Sequence, residues 1–223
     1  MYNPPMVSHV ATILSVVFVL LLSSLTHFSI TANATRTPQE NSLHLQVANS
    51  TCEGTLYPDL CVSTLASFPD LTSKTLPQII CSAVNHTIYE VRLSASNFSS
   101  LRRNLRKLAK LDQRALDDCL NLFHYTVSEL RTTIAGLSQR TIGPKRYHHG
   151  QTLLSGSMTN LYTCLDGFAY SKGHVRERFE GRLLKISHHI SNSLAMLKKL
   201  PEGVKKLASK NEVSPGYGKM KDG

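Results

Sequence analysis

Two histidine pairs and one aspartate pair are the side chains whose types could perform metal or acid–base chemistry. His148–His149 and His188–His189 offer imidazole nitrogens, and Asp117–Asp118 offers two carboxylates. Adjacent residues on a helix point about 100° apart, so neither kind of pair can close on one metal ion or one substrate. We interpret the histidines as surface residues and expect one aspartate to make a surface or interhelical contact. The chain also contains no Gly-x-Ser-x-Gly elbow and no Cys-x-x-Cys pair, so we predict no catalytic residue, no metal site and no cofactor.

Five cysteines predict two disulfide bonds and one leftover thiol. Eight residues separate Cys52 from Cys61, and this local spacing favours a bridge between them. A bridge between Cys119 and Cys164 would join two distant segments and leave Cys81 as a free thiol. Cysteine arithmetic by itself leaves the other pairings open. In the chain-entropy model the two bridges would contribute about 2.7 and about 4 kcal/mol.

Basic side chains outnumber acidic ones by 25 to 15, which gives a net charge of +10 and favours acidic partners. Five of these cations lie close together: Arg102, Arg103, Arg106, Lys107 and Lys110. On one continuous helix, Arg102, Arg106 and Lys110 would form a stripe with the other two beside it. The stripe is either a solvated helix face or a surface that binds a polyanion. Nucleic acid is a poor candidate, since no aromatic stacking surface accompanies the cations.

The elements that carry these residues are predicted to be helices. Apolar residues recur at spacings of three and four along four segments, as expected when one face of each helix is buried. The stripes are Ile80, Val84, Ile88, Val91, Phe98, Leu101, Leu105 and Leu108; Leu116, Leu120, Phe123, Val127, Leu130, Ile134 and Leu137; Leu154, Met158, Leu161, Leu165 and Phe168; and Val175, Phe179, Leu183, Ile186, Ile190 and Leu197. No comparable apolar/polar alternation appears, so we predict an all-α fold, an up-and-down four-helix bundle.

Turn-forming residues predict where these helices end. We expect breaks at Asn97–Ser100, at Gly143–Pro144 and at Gly173. A turn centred on Pro58–Asp59, between the first two cysteines, predicts a short disulfide-stapled helical hairpin ahead of the bundle.

Residues 1–34 have the composition of a targeting segment. The apolar run Val10–Leu22 is shorter than the roughly 20 residues of a full membrane span. The small-x-small triplet Ala32–Ala34 follows it, so we predict a cleaved signal peptide. An uncleaved signal anchor is the alternative, and contact with a membrane is expected only in that case.

The remaining chain divides by composition into three parts. Residues 35–47 are polar and predict a linker, residues 48–200 are expected to form the helical domain, and residues 201–223 predict a flexible basic tail. Asn-x-Ser/Thr triplets, which fit export, predict glycosylation at Asn49, Asn85 and Asn97, while a fourth at Asn33 lies at or before the predicted cleavage site.

The order and spacing of several short motifs resemble one known family. The motifs are Cys52-x8-Cys61, Ala115-Leu116-Asp117-Asp118-Cys119-Leu120, Leu153-Leu154-Ser155-Gly156-Ser157, Thr163-Cys164-Leu165-Asp166-Gly167-Phe168 and Ser191-Asn192-Ser193-Leu194-Ala195-Met196. Together they resemble the plant invertase and pectin methylesterase inhibitor family over about residues 48 to 200. The resemblance implies a four-helix bundle behind a helical hairpin, with the cysteines paired Cys52–Cys61 and Cys119–Cys164. The run at residues 163–168 and the tail up to Gly223 are most similar to the pro-region of plant pectinesterases.

The resemblance implies a protein that acts by binding. We expect stoichiometric inhibition of a pectin methylesterase by blocking its substrate cleft, with no catalytic site in this chain. Alternatives are inhibition of an acid invertase, a role as the pro-region or a fragment of a full-length pectinesterase, and direct binding of acidic pectin by the basic stripe. Secretion to the plant cell wall, the apoplast, follows from the predicted leader and the resemblance.

Overall fold

A computed structural model describes residues 38–104, 109–170 and 175–200 of the chain. The helices of this described part are α1 (Pro38–Cys52), α2 (Pro58–Ala66), α3 (Leu76–Asn104), α4 (Lys110–Leu137), α5 (Pro144–Asp166) and α6 (Val175–Lys198), with one 3-10 turn at Leu71–Ser73. No residue of the described ranges lies in a β-strand. The predicted all-α class is therefore confirmed.

The four long helices form a closed bundle. Helix α3 packs on α4, α4 on α5, α5 on α6, and α6 returns to α3. Short connections between packed helices make consecutive helices run in opposite directions, as in the predicted up-and-down bundle. Within the described ranges, no helix combines the length and the apolar character that crossing a membrane would require.

The buried core follows the predicted stripe closely in α6, where every residue of the stripe is buried, and in α3, where all the described residues of the stripe are buried. Leu105 and Leu108 of that stripe lie outside the described residues. In α4, Leu120, Val127 and Ile134 are only half-buried, while Thr126 and Thr133 are buried. Each threonine hydroxyl donates to the carbonyl one turn earlier, at 2.9 Å for Thr126 and 3.0 Å for Thr133. Because the helix itself accepts these hydrogen bonds, the threonines bring no unsatisfied polar atom into the core.

Helix α3 is continuous where a break was predicted. The prediction of a break at Asn97–Ser100 is wrong, since α3 runs on to Asn104. Phe98 is fully buried, and its ring centroid lies 5.0 Å from that of Phe123 in α4 and 4.0 Å from that of Phe179 in α6. This aromatic packing outweighs the weak helix propensity of the asparagine and serines around it.

The other predicted boundaries have different outcomes. Helix α5 begins at Pro144 directly after Gly143, as predicted, because the fixed φ of proline suits the first position of a helix. Gly173 lies outside the described residues. The same holds for the predicted signal peptide (1–34) and the predicted basic tail (201–223).

Helices α1 and α2 form the predicted stapled hairpin, but its turn lies elsewhere. Cys52 at the end of α1 is bonded to Cys61 in the first turn of α2. The chain reverses near Gly54, whose φ of +70° few other residues adopt. The predicted turn at Pro58–Asp59 is wrong, because Pro58 is the first residue of α2. Proline suits this position, since the first N–H groups of a helix have no hydrogen-bond partner within the helix.

Most of the predicted linker is helical as well. Residues 38–47 lie in α1, contrary to the interpretation of residues 35–47 as an unpatterned linker. The helix is hard to recognise because it buries few side chains, His44, Ala48, Thr51 and Cys52, and leaves Leu43 exposed. Its C-terminal carbonyls also gain a distant partner, since the ammonium of Lys199 donates to the carbonyls of Ser50 and Thr51.

Candidate functional site

An open groove of about 530 Å³ runs between α4 and the C-terminal end of α5, and we refer to it as the α4–α5 groove. It is lined by Ala115, Asp118, Asn121, Leu122 and Tyr125 of α4, and by Thr163, Cys164, Asp166 and Gly167 at the end of α5. The lining combines apolar atoms with two carboxylates and several hydrogen-bonding groups. Such an open, mixed surface suits the side chains of a protein partner better than an enclosed small molecule.

A disulfide and two small residues hold the floor of the α4–α5 groove together. Cys119 of α4 is bonded to Cys164 of α5, as predicted. A Cβ atom added to Gly167 would lie 3.5 Å from the Cβ of Ala115 and 3.3 Å from the carbonyl oxygen of Cys164. The 3.5 Å distance to Ala115 is an ordinary van der Waals contact, so position 167 lies directly against α4, and the tighter contact is with the backbone of α5 itself.

Two exposed tyrosines accompany the α4–α5 groove. Tyr125 lines it and is 59% exposed, and Tyr162 of α5 is 44% exposed. Tyr162 does not itself line the groove but stands one helical turn from Asp166, which does. Exposed tyrosines contribute a large contact area with few rotatable bonds, which is why they are enriched among the residues that dominate binding energy.

Beyond the groove, a half-buried carboxylate joins the same two helices. Glu129 Oε2 of α4 accepts hydrogen bonds from Ser157 Oγ at 2.9 Å and from Asn160 Nδ2 at 3.1 Å, both on α5. Gly156 leaves room for this carboxylate, since a Cβ there would lie 3.1 Å from Glu129 Oε1. With the disulfide, these contacts make the α4–α5 face a rigid surface.

The predicted basic stripe does not lie on one helix. Helix α3 ends at Asn104 and Lys110 is the first residue of α4, so the assumption of one continuous helix is wrong. Arg102 donates to both carboxylate oxygens of Asp117, at 2.9 and 3.1 Å, and its charge is therefore paired. Arg103 and Lys110 are exposed, and Arg106 and Lys107 lie outside the described residues. Polyanion binding by these cations stays a prediction.

The predicted glycosylation sites all lie on helices. Asn49 of α1 and Asn85 and Asn97 of α3 have exposed side chains, as a glycan requires. None of the three lines the α4–α5 groove, and Asn33 lies outside the described residues. Glycosylation of these asparagines stays a prediction.

Cys81 is the one cysteine of the five without a disulfide partner. It is half-buried in α3, with weak contacts from its sulfur to the Ile134 carbonyl at 3.9 Å and to Ser138 Oγ at 3.8 Å. Burial raises the pKa of the thiol above its ordinary value. Since the thiolate is the reactive form, this cysteine is suited to packing rather than to chemistry.

The histidine and aspartate pairs diverge, as adjacent helical residues must. Asp117 binds Arg102, whereas its neighbour Asp118 lines the α4–α5 groove. His148 Nδ1 lies 3.1 Å from Gln151 Oε1 on the surface of α5. His189 is buried, which contradicts its interpretation as a surface residue. Among the described side chains, no three His, Cys, Asp or Glu residues are arranged to hold a metal ion.

Sequence reasoning did not single out the two tyrosines or Glu129. A signal for Tyr125 is present, because this aromatic residue falls between Phe123 and Val127 of the apolar stripe and so belongs to the polar face of α4. For Glu129 no such signal exists, since its partners lie 28 and 31 residues away on another helix.

Comparison with known proteins adds three findings. The sequence model of plant invertase/pectin methylesterase inhibitors matches residues 46–196. Pectinesterase 1 of Citrus sinensis is 32% identical over 171 residues, 73% of this chain and 29% of that protein. Pectinesterase inhibitor 3 of Arabidopsis thaliana is 27% identical over 164 residues, 70% of this chain and 80% of that protein.

The fold comparison agrees with the sequence comparison. The crystal structure of a mutant form of a pectin methylesterase inhibitor from Arabidopsis superimposes with a TM-score of 0.55 at 16% identity, over 67% of this chain and 94% of that one. At this identity the likeness shows a shared fold. The chain spans less than a third of the length of the citrus pectinesterase that it matches.

Proposed function

Because the chain belongs to the plant invertase/pectin methylesterase inhibitor family, we propose that it inhibits a pectin methylesterase by stoichiometric binding. The observation that carries this proposal is the extent of the family match, which covers residues 46–196 and thus almost the whole described domain. A relative that is itself named a pectinesterase inhibitor is matched over 80% of its own length. The proposed partner is therefore a protein, and this chain takes part by binding rather than by catalysis.

We propose that the α4–α5 face lies across the substrate cleft of the esterase and blocks the entry of pectin. The groove and its tyrosines supply contact area, and Asp118 and Asp166 supply acceptors for donors on the partner. The Cys119–Cys164 bond and the contacts of Glu129 order this face before it binds. A surface that is already ordered loses little conformational entropy on association, which favours tight binding.

Two other roles fit the family and are separable from this one. The family name includes inhibitors of invertase, so an acid invertase is the alternative target. The match to less than a third of a pectinesterase supports a role as the pro-region of such an enzyme. In that arrangement the domain would inhibit the esterase domain of the same polypeptide.

We further propose that the protein is secreted to the plant cell wall. Two disulfide bonds support this location, since such bonds persist in oxidising compartments. Three exposed asparagines in Asn-x-Ser/Thr triplets are compatible with passage through the secretory pathway.

Titration of the full chain, secreted by a eukaryotic host with its disulfides intact, tests the proposed function. Increasing amounts are added to a plant pectin methylesterase and, in parallel, to an acid invertase. We expect loss of esterase activity that is complete near one equivalent, with the invertase unaffected. Inhibition of the invertase alone would show that the target is an acid invertase and not a pectin methylesterase. If neither enzyme is inhibited, the proposed function is wrong, and the remaining hypotheses are a role as a pectinesterase pro-region and direct binding of pectin.

Replacing Tyr125 with alanine tests the proposed surface. We expect Tyr125→Ala to raise the inhibition constant for the esterase about 30-fold, because a central tyrosine contributes about 2 kcal/mol of binding energy. The stability of the chain should change little, since the side chain is largely exposed.

Tyr89→Ala is the matched control for this measurement. Tyr89 is 61% exposed, lies on α3 and does not line the α4–α5 groove, so its replacement should leave inhibition unchanged. Equal effects of the two substitutions, or an effect of Tyr89→Ala alone, would place the inhibitory surface on another face.

A further inference from the structure

The α1–α2 hairpin is fastened to α6 by an asparagine and a histidine. The Asn192 side chain accepts a hydrogen bond from the backbone N–H of Tyr57 at 3.2 Å and donates one to the Tyr57 carbonyl at 2.9 Å. The Tyr57 ring stacks on the ring of His188, with centroids 3.6 Å apart and planes 15° from parallel. These contacts place the start of α2 on α6.

Three further imidazole rings gather where the hairpin meets the bundle. His44 of α1 is buried, and its Nε2 lies 2.8 Å from the carbonyl oxygen of Phe68. The ring centroids of Phe68 and His86 of α3 lie 6.4 Å apart, and those of His86 and His189 of α6 lie 5.1 Å apart, both in edge-to-face arrangements. His189 Nδ1 lies 3.5 Å from Thr64 Oγ1 of α2. The hairpin, α3 and α6 thus all contribute to one histidine cluster.

The surroundings of His189 in this cluster favour the neutral imidazole over the protonated one. Its ring is buried, and its Nε2 has no hydrogen-bond partner in the described part of the chain. The titratable groups that face it are His86 from α3 and Lys185 and His188 from α6, and all three oppose a positive charge on it. Burial, with these three neighbours, lowers the pKa of His189 from 6.5 to about 4. A proton on Nε2 would be a buried charge without an acceptor.

We infer that the histidine cluster is a pH-sensitive latch, which holds the α1–α2 hairpin on the bundle while His189 is neutral and loosens the hairpin when His189 is protonated. This property is independent of the proposed inhibition, because it concerns the junction of hairpin and bundle and not the α4–α5 groove. The Cys52–Cys61 bond stays within the hairpin and keeps it folded as a unit when it opens.

The direction of the pH dependence follows from proton linkage. When the hairpin opens, His189 meets water and regains a pKa near 6.5, whereas in the closed state its pKa is about 4. Between these values the open state binds more protons, so the closed state loses stability as pH falls from about 6.5 to about 4. Burial also lowers the pKa of His188, which adds an effect of the same sign. The opening equilibrium should increase about 20-fold between pH 7 and pH 5 on account of His189.

Amide hydrogen exchange of the full chain at pH 7 and pH 5, corrected for intrinsic exchange rates, measures this opening. We expect the protection of α1 and α2 amides to fall about 20-fold between the two pH values, while α4 and α5 amides change little. An equal fall in all helices, or none in the hairpin, would overturn the proposal without any substitution.

Two substitutions assign the effect to His189. In His189→Gln the hairpin amides should lose most of this pH dependence, because the replacement does not titrate and only the effect of His188 remains. His124→Gln is the matched control, since His124 is exposed on α4 and outside the cluster, and it should retain the wild-type response. An unchanged response in His189→Gln would overturn the assignment. If His189→Gln does not fold, His86→Gln removes one of the groups that lower the pKa of His189 and should weaken the pH response of the hairpin amides.

Discussion

Replacing Phe98 with alanine should lower the free energy of unfolding by about 3–5 kcal/mol. Phe98 is fully buried and its ring contacts Phe123 and Phe179, so truncation opens a cavity where α3, α4 and α6 meet. Domains of this size are stable by about 5–15 kcal/mol, so the loss is a large fraction of the total. Urea unfolding at neutral pH with intact disulfides measures it.

Two further variants make the Phe98 prediction specific. Phe98→Leu keeps most of the volume and should cost less than about 1.5 kcal/mol. Tyr89→Ala lies on the same helix at an exposed position and should change stability by less than about 0.5 kcal/mol. A cost for Phe98→Ala no greater than that of Tyr89→Ala would mean that α3 is interrupted near Asn97 and that the ring is not in the core.

Removing the bond between Cys119 and Cys164 should lower the free energy of unfolding by about 4 kcal/mol in the chain-entropy model. The bond spans 45 residues of sequence, so it excludes many extended conformations of the unfolded chain. The double substitution Cys119→Ser/Cys164→Ser should also weaken inhibition of the esterase, because Cys164 forms part of the floor of the α4–α5 groove. Urea unfolding and the inhibition assay measure the two effects.

Cys81→Ser provides the control for the loss of a thiol. Cys81 is half-buried and forms no disulfide, so its replacement should cost less than about 1 kcal/mol and leave inhibition unchanged. Removing the Cys52–Cys61 bond, which spans only 9 residues of sequence, should cost less than removing the longer bridge, about 2.7 kcal/mol. The chain-entropy account fails for this protein if the double serine variant is as stable as Cys81→Ser.

Errors of the sequence-based predictions have a common physical origin. A break was expected at Asn97–Ser100 from local propensity, yet α3 continues because Phe98 packs against rings from two other helices. The polar segment before residue 48 was expected to be a linker, yet it is helical and buries His44. In both cases contacts distant in sequence outweigh the local preference.

The sequence by itself determined the all-α class, the four amphipathic segments and the boundary at Gly143–Pro144. Periodicity reports which face of a helix is buried, and proline restricts its own backbone, so both signals are local. The order and spacing of short motifs also indicated the family, which the match of the family model over residues 46–196 confirms.

Only the tertiary structure decided which exposed and polar side chains act together. The α4–α5 groove joins residues some forty positions apart, and the histidine cluster joins His44, His86 and His189 from three helices. The tertiary structure also shows that Lys110 lies on a different helix from Arg102 and Arg103, and that Arg102 is paired with Asp117. Contacts of this kind depend on the packing of whole helices, whereas the spacing of residues within one helix records only the face that is buried.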